Sequence, residues 1–378
     1  MMTIKDLERL RTAGLYDPSA VDAERQRALL EELVAGGLTV DEITAVPRLG
    51  PLALRLFERL LRPGTRRSTA DAAARTGLPL AMVQRIWRAW GFPGPAGEEL
   101  CWTDGDIDAL DLVRSVATIV GPEPAFHAAR TMGMALSRIA EAEIALMRAR
   151  LEAPLRERQV AGASILVQYR DFIEMYMPAA LRAMEAVHRH HVMHVAARYT
   201  AHALSPSASN VLDVVVGFAD LTGSTALVQR LDLADLDHAI ARFEEITTER
   251  IVGAGATLAK HLGDGVMFVA DVPVAACRLA LDLVAAFSRA AGGLSVRVGL
   301  AAGRVAALRG DFFGPAVHQA ARIVAVAAPE TVVASDAVRV RCARDDAFAF
   351  APLGAQRLHG FEDAVELFRL TPGARAAA

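Results

Sequence analysis

The chain has 378 residues, of which 53% are hydrophobic, so it can bury the cores of two or three domains. Its formal net charge of −3 excludes a polyelectrolyte that binds nucleic acid along its whole length. Three cysteines lie far apart and form no CxxC pair, which favours free thiols in a reducing cytosol. The charged start MMTIKDLERLRTAG is unlike a signal peptide, and no apolar run is long enough for a membrane span. We therefore expect a cytoplasmic protein without a membrane segment.

Residues 1–200 have the apolar spacing of helices almost throughout. The stretches VDAERQRALLEELVAGG and PLALRLFERLLRPG repeat this spacing and end at glycine or at Pro-Gly. Long helices are also predicted after Glu123 and after Ile165, and no strand is predicted before residue 210. These residues are expected to form an all-helical domain.

Residues 66–115 contain a separate pattern within that domain. The stretch STADAAARTGLPLAMVQRIWRAWGFP predicts a helix, a glycine turn and a second helix, and a threonine caps a third helix further on. The pattern resembles the winged helix-turn-helix of MerR-type regulators, in which a recognition helix enters the major groove of DNA. Positive charge comes from five arginines: Arg66, Arg67, Arg75, Arg85 and Arg88. Trp87 and Trp90 on the second helix favour burial in a helical bundle over DNA binding.

A linker, AHALSPSASN, is predicted at residues 201–210 because small, polar and proline residues replace the helical pattern. A group of histidines precedes it: His188, His190, His191, His194 and His202. Three interpretations are open, namely a solvated helix end, a zinc site and a pH-sensing hinge. No local carboxylate or cysteine completes a tetrahedral zinc site. Several imidazoles that gain protons together near neutral pH would suit a hinge.

After the linker, strand and helix patterns alternate. LDVVVGFAD is a β-branched run that ends at Asp220, and ATLAKHLGD and GVMFVAD predict two strands joined at Asp264-Gly265. LSVRVGLAAGRVAAL, TVVAS and VELFRL are further strands, and helical stretches lie between several of them. The pattern predicts an α+β domain with helices on one face of a mixed sheet.

Two acidic residues carry the first chemical signal in this domain. Asp220 closes a buried strand just before LTGST, and Asp264 lies at the tip of the predicted hairpin. If the adjacent loops bring them together, two carboxylates without histidine or cysteine suit Mg²⁺ or Mn²⁺. Taken singly, each is also consistent with an ordinary turn aspartate.

Three segments of the second domain together resemble a known family. GFADLTGSTAL, AKHLGDGVMFV and GDFFGPAVHQAAR are similar to the active-site segments of class III nucleotide cyclases, and RLHGFEDAVELFRL is similar to their closing strands. The resemblance implies a ferredoxin-like catalytic domain over residues 211–372. It also implies a head-to-tail homodimer with active sites shared between the protomers.

The resemblance assigns a role to several positions. Asp220, Asp264 and the backbone carbonyl of Leu221 match the ligands of two divalent ions per site, Mg²⁺ or Mn²⁺. Lys260 and Asp311 match a pair that recognises the purine. Lysine only donates hydrogen bonds and ionised aspartate only accepts them. The pair therefore suits the N1 acceptor and N6 donor of adenine, whereas guanine reverses that pattern, so ATP is favoured over GTP.

The helix of the third segment carries Arg322 and His318. Arg322 matches the arginine that stabilises the transferring phosphate. His318 departs from the family pattern, because most active members have asparagine there. Spacing of four residues places His318 beside Arg322 on one helix face, where a proton gained near neutral pH adds positive charge. Adequate substitution, slower turnover and pH-dependent turnover all remain open.

The sequence thus predicts an adenylate cyclase, a lyase that converts ATP to 3′,5′-cyclic AMP and pyrophosphate. Helical amino-terminal domains of this kind in actinobacterial cyclases are regulatory and often autoinhibitory, and we expect the same of residues 1–200. The alternative is a weak or inactive cyclase-like sensor, or a DNA-binding regulator that dimerises through a cyclase-like domain.

Overall fold

The computed structural model describes residues 2–36, 38–45, 50–94, 99–158, 160–202, 210–223, 233–289 and 295–373. The chain divides into two compact units, Met1–Tyr199 and Thr200–Ala378. Most of the predicted linker, residues 203–209, lies outside the described residues. None of the described helices combines the length and the apolar character that a membrane crossing requires.

The first unit is helical, as predicted. Among its described residues, the β pairing consists of one isolated bridge between Arg67 and Trp102. Among the described residues, four helices begin with a capping box. Thr3, Ser68 and Thr103 each exchange hydrogen bonds with an aspartate three residues later, and Thr39 does so with Glu42. The helices are α1 Ile4–Thr12, α2 Ala23–Ala35, α3 Val40–Ala45, α4 Gly50–Leu61, α5 Thr69–Thr76, α6 Leu80–Ala89, α7 Asp104–Val120, α8 Pro122–Met147, α9 Ala153–Glu157 and α10 Gly162–His202.

Two observations argue against DNA binding by the region that resembles a winged helix-turn-helix. Trp87 and Trp90 are buried, and the Trp87 ring lies 4.4 Å from the Trp102 ring in the core formed by α5 to α8. Ion pairs with carboxylates also engage four of the five arginines, namely Arg66, Arg67, Arg75 and Arg85. The buried tryptophans and the ion-paired arginines are therefore not free to contact a DNA groove.

The second unit is built on one mixed sheet. Its strands are β1 Val211–Leu221, β2 Thr257–Leu262, β3 Gly265–Ala270, β4 Val296–Leu308, β5 Asp311–Phe313, β6 Val332–Ser335, β7 Phe348–Gln356 and β8 Val365–Pro372. Their order is β2-β3-β1-β4-β6-β8-β7, and β5 pairs with β4. The β4–β6 pair is parallel, and the other pairs are antiparallel. The helices are α11 Leu233–Gly253, α12 Pro273–Arg289, α13 Pro315–Val326 and α14 Asp336–Cys342.

Helices cover both faces of this sheet, so the expectation of helices on one face is wrong. Alternate residues of β4, such as Val298 and Leu300, join the core beneath α11, α12 and α14. The intervening residue Gly299 lies against α13, where an added Cβ would be 2.3 Å from the backbone nitrogen of Val324. Strand β1 gives the physical reason. Successive side chains of a strand point to opposite faces, so the consecutive buried residues around Val215 require packing on both faces of the sheet.

Candidate active site

Strand pairing fixes Asp220 near the end of β1. Asp220 lies opposite Gly265 of β3 on one side and Arg297 of β4 on the other. The Arg297 guanidinium donates to Asp220 Oδ2 from Nη2 at 2.7 Å and from Nε at 3.1 Å. Its Nη1 also donates to the carbonyl of Ala325 in α13, at 3.1 Å. The carboxylate is therefore held on the face of the sheet that α13 covers.

The turn between β2 and β3 brings Asp264 to the same end of β1. Leu262 pairs with Gly265, so the turn residues are Gly263 and Asp264, one residue earlier than predicted. Gly263 has a φ of 69°, which suits the first turn position of a two-residue hairpin. The Leu221 N–H donates to the Asp264 carbonyl at 2.9 Å. The three predicted cation ligands, Asp220, Leu221 and Asp264, thus lie together.

These donors fit a hard divalent cation. They are carboxylate and carbonyl oxygens, which Mg²⁺ and Mn²⁺ prefer. Among the described residues, no group of three or more His, Cys, Asp and Glu side chains could hold a metal. A site with two carboxylates agrees with Mg²⁺ sites that use one or two carboxylates and complete their coordination with water and substrate phosphates. Both Arg297 hydrogen bonds end on Asp220 Oδ2, so neither of them occupies Oδ1 of the same carboxylate.

Lys260 and Asp311, which are 51 residues apart in the chain, form an ion pair in which the Lys260 Nζ donates to Asp311 Oδ2. Asp311 begins β5 after a two-residue turn whose members, Arg309 and Gly310, have φ values of 57° and 77°. The other oxygen of Asp311 accepts from the Phe312 N–H at 2.8 Å. About a third of each side chain is exposed, 33% for Lys260 and 30% for Asp311. Both remain accessible to a ligand.

His318 and Arg322 occupy the exposed side of α13, whose opposite side is buried through residues such as Ala320 and Ile323. In the part of the chain that the structure describes, no hydrogen bond or ion pair joins either side chain to another residue. The structure therefore brings the cation ligands together and brings Lys260 to Asp311. Among the described residues, no hydrogen bond or ion pair joins those groups to the exposed pair on α13.

Arg297 is a site residue that the sequence reasoning missed. It sits in LSVRVGL, where its neighbours Val296 and Val298 are buried. A charge within such a strand has to find a counter-charge, because an unpaired buried charge is costly. That signal was present in the sequence, but it does not identify Asp220 as the partner without the strand register.

Comparisons with known proteins decide the family. Residues 8–193 match the model of the adenylate cyclase regulatory domain, and residues 207–372 match that of the adenylate and guanylate cyclase catalytic domain. The adenylate cyclase of Streptomyces coelicolor is 30% identical over 299 residues, covering 78% of this chain and 76% of that protein. The chain belongs to the adenylate cyclase family. The predicted class III catalytic domain and helical regulatory domain are confirmed.

Two relatives in Mycobacterium tuberculosis match the two-domain arrangement over most of its length. An uncharacterized protein of strain H37Rv is 34% identical over 376 residues, covering 98% of this chain and 96% of its own. A pH-sensitive adenylate cyclase of strain CDC 1551 is 29% identical over 363 residues, covering 93% and 89%. This cyclase therefore shares both its domains, in the same order, with proteins of similar length.

Proposed function

We propose that the protein converts ATP to 3′,5′-cyclic AMP and pyrophosphate as a homodimer, under the control of its helical domain. The observation that carries the choice of ATP is the contact between Lys260 and Asp311. It places one obligate donor beside one obligate acceptor, the arrangement that adenine complements through N1 and N6. Guanine would set its N1–H against the ammonium and its O6 against the carboxylate.

The cation ligands suit a substrate that carries a triphosphate. Asp220, Asp264 and the Leu221 carbonyl would hold Mg²⁺ or Mn²⁺, two ions per site by analogy with the class. A bound divalent ion lowers the proton affinity of the 3′-hydroxyl and neutralises charge on the phosphates. Arg297, which is held against Asp220 in this structure, keeps a further positive charge at the same end of β1.

The exposed pair on α13 would act on the reacting phosphate. When the 3′-oxygen bonds to the α-phosphorus and the bond to pyrophosphate breaks, negative charge develops on the α-phosphate oxygens. A guanidinium that is already in place stabilises that charge, and this is the role we assign to Arg322. His318, one helical turn before it, would donate a hydrogen bond that orients the ribose.

A second copy of the chain supplies the simplest way to complete the site. The cation ligands are fixed at the end of β1, and the α13 pair faces outward without a partner among the described residues. A head-to-tail dimer would set the α13 pair of one protomer against the cation ligands of the other. Two equivalent sites follow from the two-fold symmetry of such a dimer.

Regulation by pH is the control we propose for the helical domain. His188, His190, His191 and His194 are exposed on the last turns of α10, immediately before the linker. A zinc site there finds no support, because no group of three or more His, Cys, Asp and Glu side chains among the described residues could hold a metal ion. Charging of several imidazoles would add repulsion along one helix as the pH falls. The similarity to a pH-sensitive adenylate cyclase supports this assignment.

A charge-swap experiment tests the activity and the nucleotide together. The purified protein should form cyclic AMP from ATP with Mn²⁺ or Mg²⁺, and it should use GTP poorly. Exchanging the pair, Lys260→Glu with Asp311→Lys, keeps an ion pair but presents the pattern that guanine complements. We expect the ratio of kcat/KM for ATP over GTP to fall by about 10²-fold. An unchanged ratio would overturn the purine assignment, and no cyclic AMP from the wild type would favour the inactive sensor.

A further inference from the structure

Two buried cysteines of the catalytic unit lie in contact with one another. Cys277 is in α12 and Cys342 is the last residue of α14, and their exposed fractions are 0% and 2%. Their Sγ atoms are 3.7 Å apart, and both thiols are free. Both side chains belong to the core between the sheet and its helices. The third cysteine, Cys101, lies in the other unit.

We propose that Cys277 and Cys342 are a redox modification site, which a hydroperoxide converts to a reversible disulfide. A disulfide has an S–S separation of about 2.05 Å, so the two sulfur atoms need to approach by about 1.7 Å. The short helix α14, of seven residues, is the element that can supply such a shift. The pair is set apart from Cys101 by its geometry, because a thiol without a neighbouring sulfur has no intramolecular partner.

A surface cavity is lined by one of the two cysteines. The cavity has a volume of about 380 Å³, and Cys342 lines it together with the exposed residues Arg341, Arg344 and Asp346. Cys277 does not line it. The hydrogen bond between the sulfurs lowers the pKa of the Cys342 thiol and raises that of Cys277. Its position in the cavity wall and its lowered pKa therefore both select Cys342 as the nucleophile.

The chemistry balances with one hydroperoxide for each pair. The Cys342 thiolate attacks the terminal peroxide oxygen, the O–O bond breaks, and the leaving group departs as water or an alcohol. Cys342 is then a sulfenic acid. The Cys277 sulfur attacks that sulfur, the S–O bond breaks, water leaves and the disulfide forms. Two thiols lose two electrons and the peroxide gains them, and a dithiol reverses the process by exchange.

The bond would stabilise the catalytic unit at a distance from the cation ligands. It joins residues that are 65 apart in sequence, so it removes much of the freedom of the unfolded chain. Arg341, beside Cys342, pairs with Asp213 near the start of β1 at 2.7 Å, whereas Asp220 lies seven residues further on. Those seven residues span about 23 Å of strand. We therefore expect a change in thermal stability with little change in KM for the nucleotide.

The full-length Cys101→Ala variant, which cannot form disulfides through Cys101, provides the test. It is treated with hydrogen peroxide under native conditions, the remaining thiols are alkylated, and its peptides are mapped by mass spectrometry. We expect a Cys277–Cys342 cross-linked peptide and a rise in Tm of about 5–10 °C that dithiothreitol reverses. Cys277→Ala in the same background should give an oxidised Cys342 without the cross-link or the rise in Tm.

Two results would overturn the proposed disulfide, and a third would overturn its effect on stability. Full alkylation of both cysteines, after a dose that oxidises Cys101 in the wild type, would show that the pair does not react. Sulfinic acid at Cys342 without a cross-link would show that Cys277 cannot reach it. A cross-link that leaves Tm unchanged would remove the stabilising role. The peptide map of the Cys101→Ala protein decides the matter even if Cys277→Ala fails to fold.

Discussion

The two groups of candidate site residues in the catalytic unit are held in different ways. Asp220 is fixed by pairing with β3 and β4 and by the Arg297 guanidinium, and Asp264 is tied to Leu221 by a backbone hydrogen bond. His318 and Arg322 stand on the exposed side of α13, and among the described residues no hydrogen bond or ion pair joins either side chain to another residue. One group is organised by its own sheet, and the other is not.

This difference indicates where a second copy matters. A catalytic group must already be in position when the reaction begins, and an exposed arginine without a hydrogen bond or ion pair is not held in position. The cation ligands meet that condition within one chain. Arg322 meets it only if something outside the described residues, which we take to be the partner protomer, holds it. Variants in the two groups should therefore fail for different reasons.

The largest loss is expected from the organised group. Asp264→Ala removes a carboxylate that holds the divalent ions, and turnover should fall by about 10³-fold or more. Asp213→Ala is the matched control, because it removes an exposed carboxylate from the other end of β1. Cyclic AMP formation and circular dichroism are measured for both variants. Near-wild-type turnover in Asp264→Ala would refute the cation assignment.

A slightly smaller loss is expected from the exposed group. Arg322→Ala should lower kcat by about 10²–10³-fold with little change in the free energy of unfolding, because its side chain is exposed. Gln319→Ala, on the same helix, should leave kcat near that of the wild type. Denaturant unfolding followed beside the assay separates the two effects. Equal kcat values in the two variants would show that Arg322 is an ordinary surface arginine without a catalytic role.

His318 should affect the pH profile more than the fold. Asparagine at this position should preserve or raise turnover and flatten the acid side of the profile, because it cannot gain a proton next to Arg322. Alanine restores no donor and should cost up to about 10²-fold. If histidine, asparagine and alanine give superimposable pH–rate curves in the full chain, His318 has no part in catalysis.

The smallest effect is expected from removing the helical unit. A chain that starts at residue 206 should differ from the full protein by several-fold in kcat, with a rise if the helical domain is autoinhibitory. Because the cation ligands are organised within the catalytic unit, KM for the metal should change little. Unchanged kcat and an unchanged pH response in a well-folded dimer of residues 206–378 would remove the regulatory role.

The sequence predicts most of the fold and only part of the site geometry. Long periodic stretches such as α10 and β1 carry enough apolar positions to be found from spacing alone. The elements β5 and α14, of three and seven residues, are too short for that. Strand β7 contains Pro352 within a largely exposed pattern, so it lacks the alternation that marks a strand.

The site contacts are non-local, and local patterns do not contain them. Lys260 and Asp311 are 51 residues apart, and Asp220 and Arg297 are 77 apart. The first pair was predicted only through the resemblance to cyclases. The second pair depends on the register of β1 against β4, which cannot be read from the sequence. The one-residue error at Asp264 has the same origin, because cross-strand pairing decides which residues form the turn.

Complementation between two inactive variants tests the shared site most directly. Asp220→Ala and Arg322→Ala each remove one component from both sites of their own homodimer. In a heterodimer, the intact Asp220 of one chain faces the intact Arg322 of the other, so one site of two is complete. Random exchange of equal amounts should restore about 25% of wild-type activity, since half of the dimers carry one working site. No recovery, despite exchange demonstrated with differently tagged chains, would contradict a site shared between protomers.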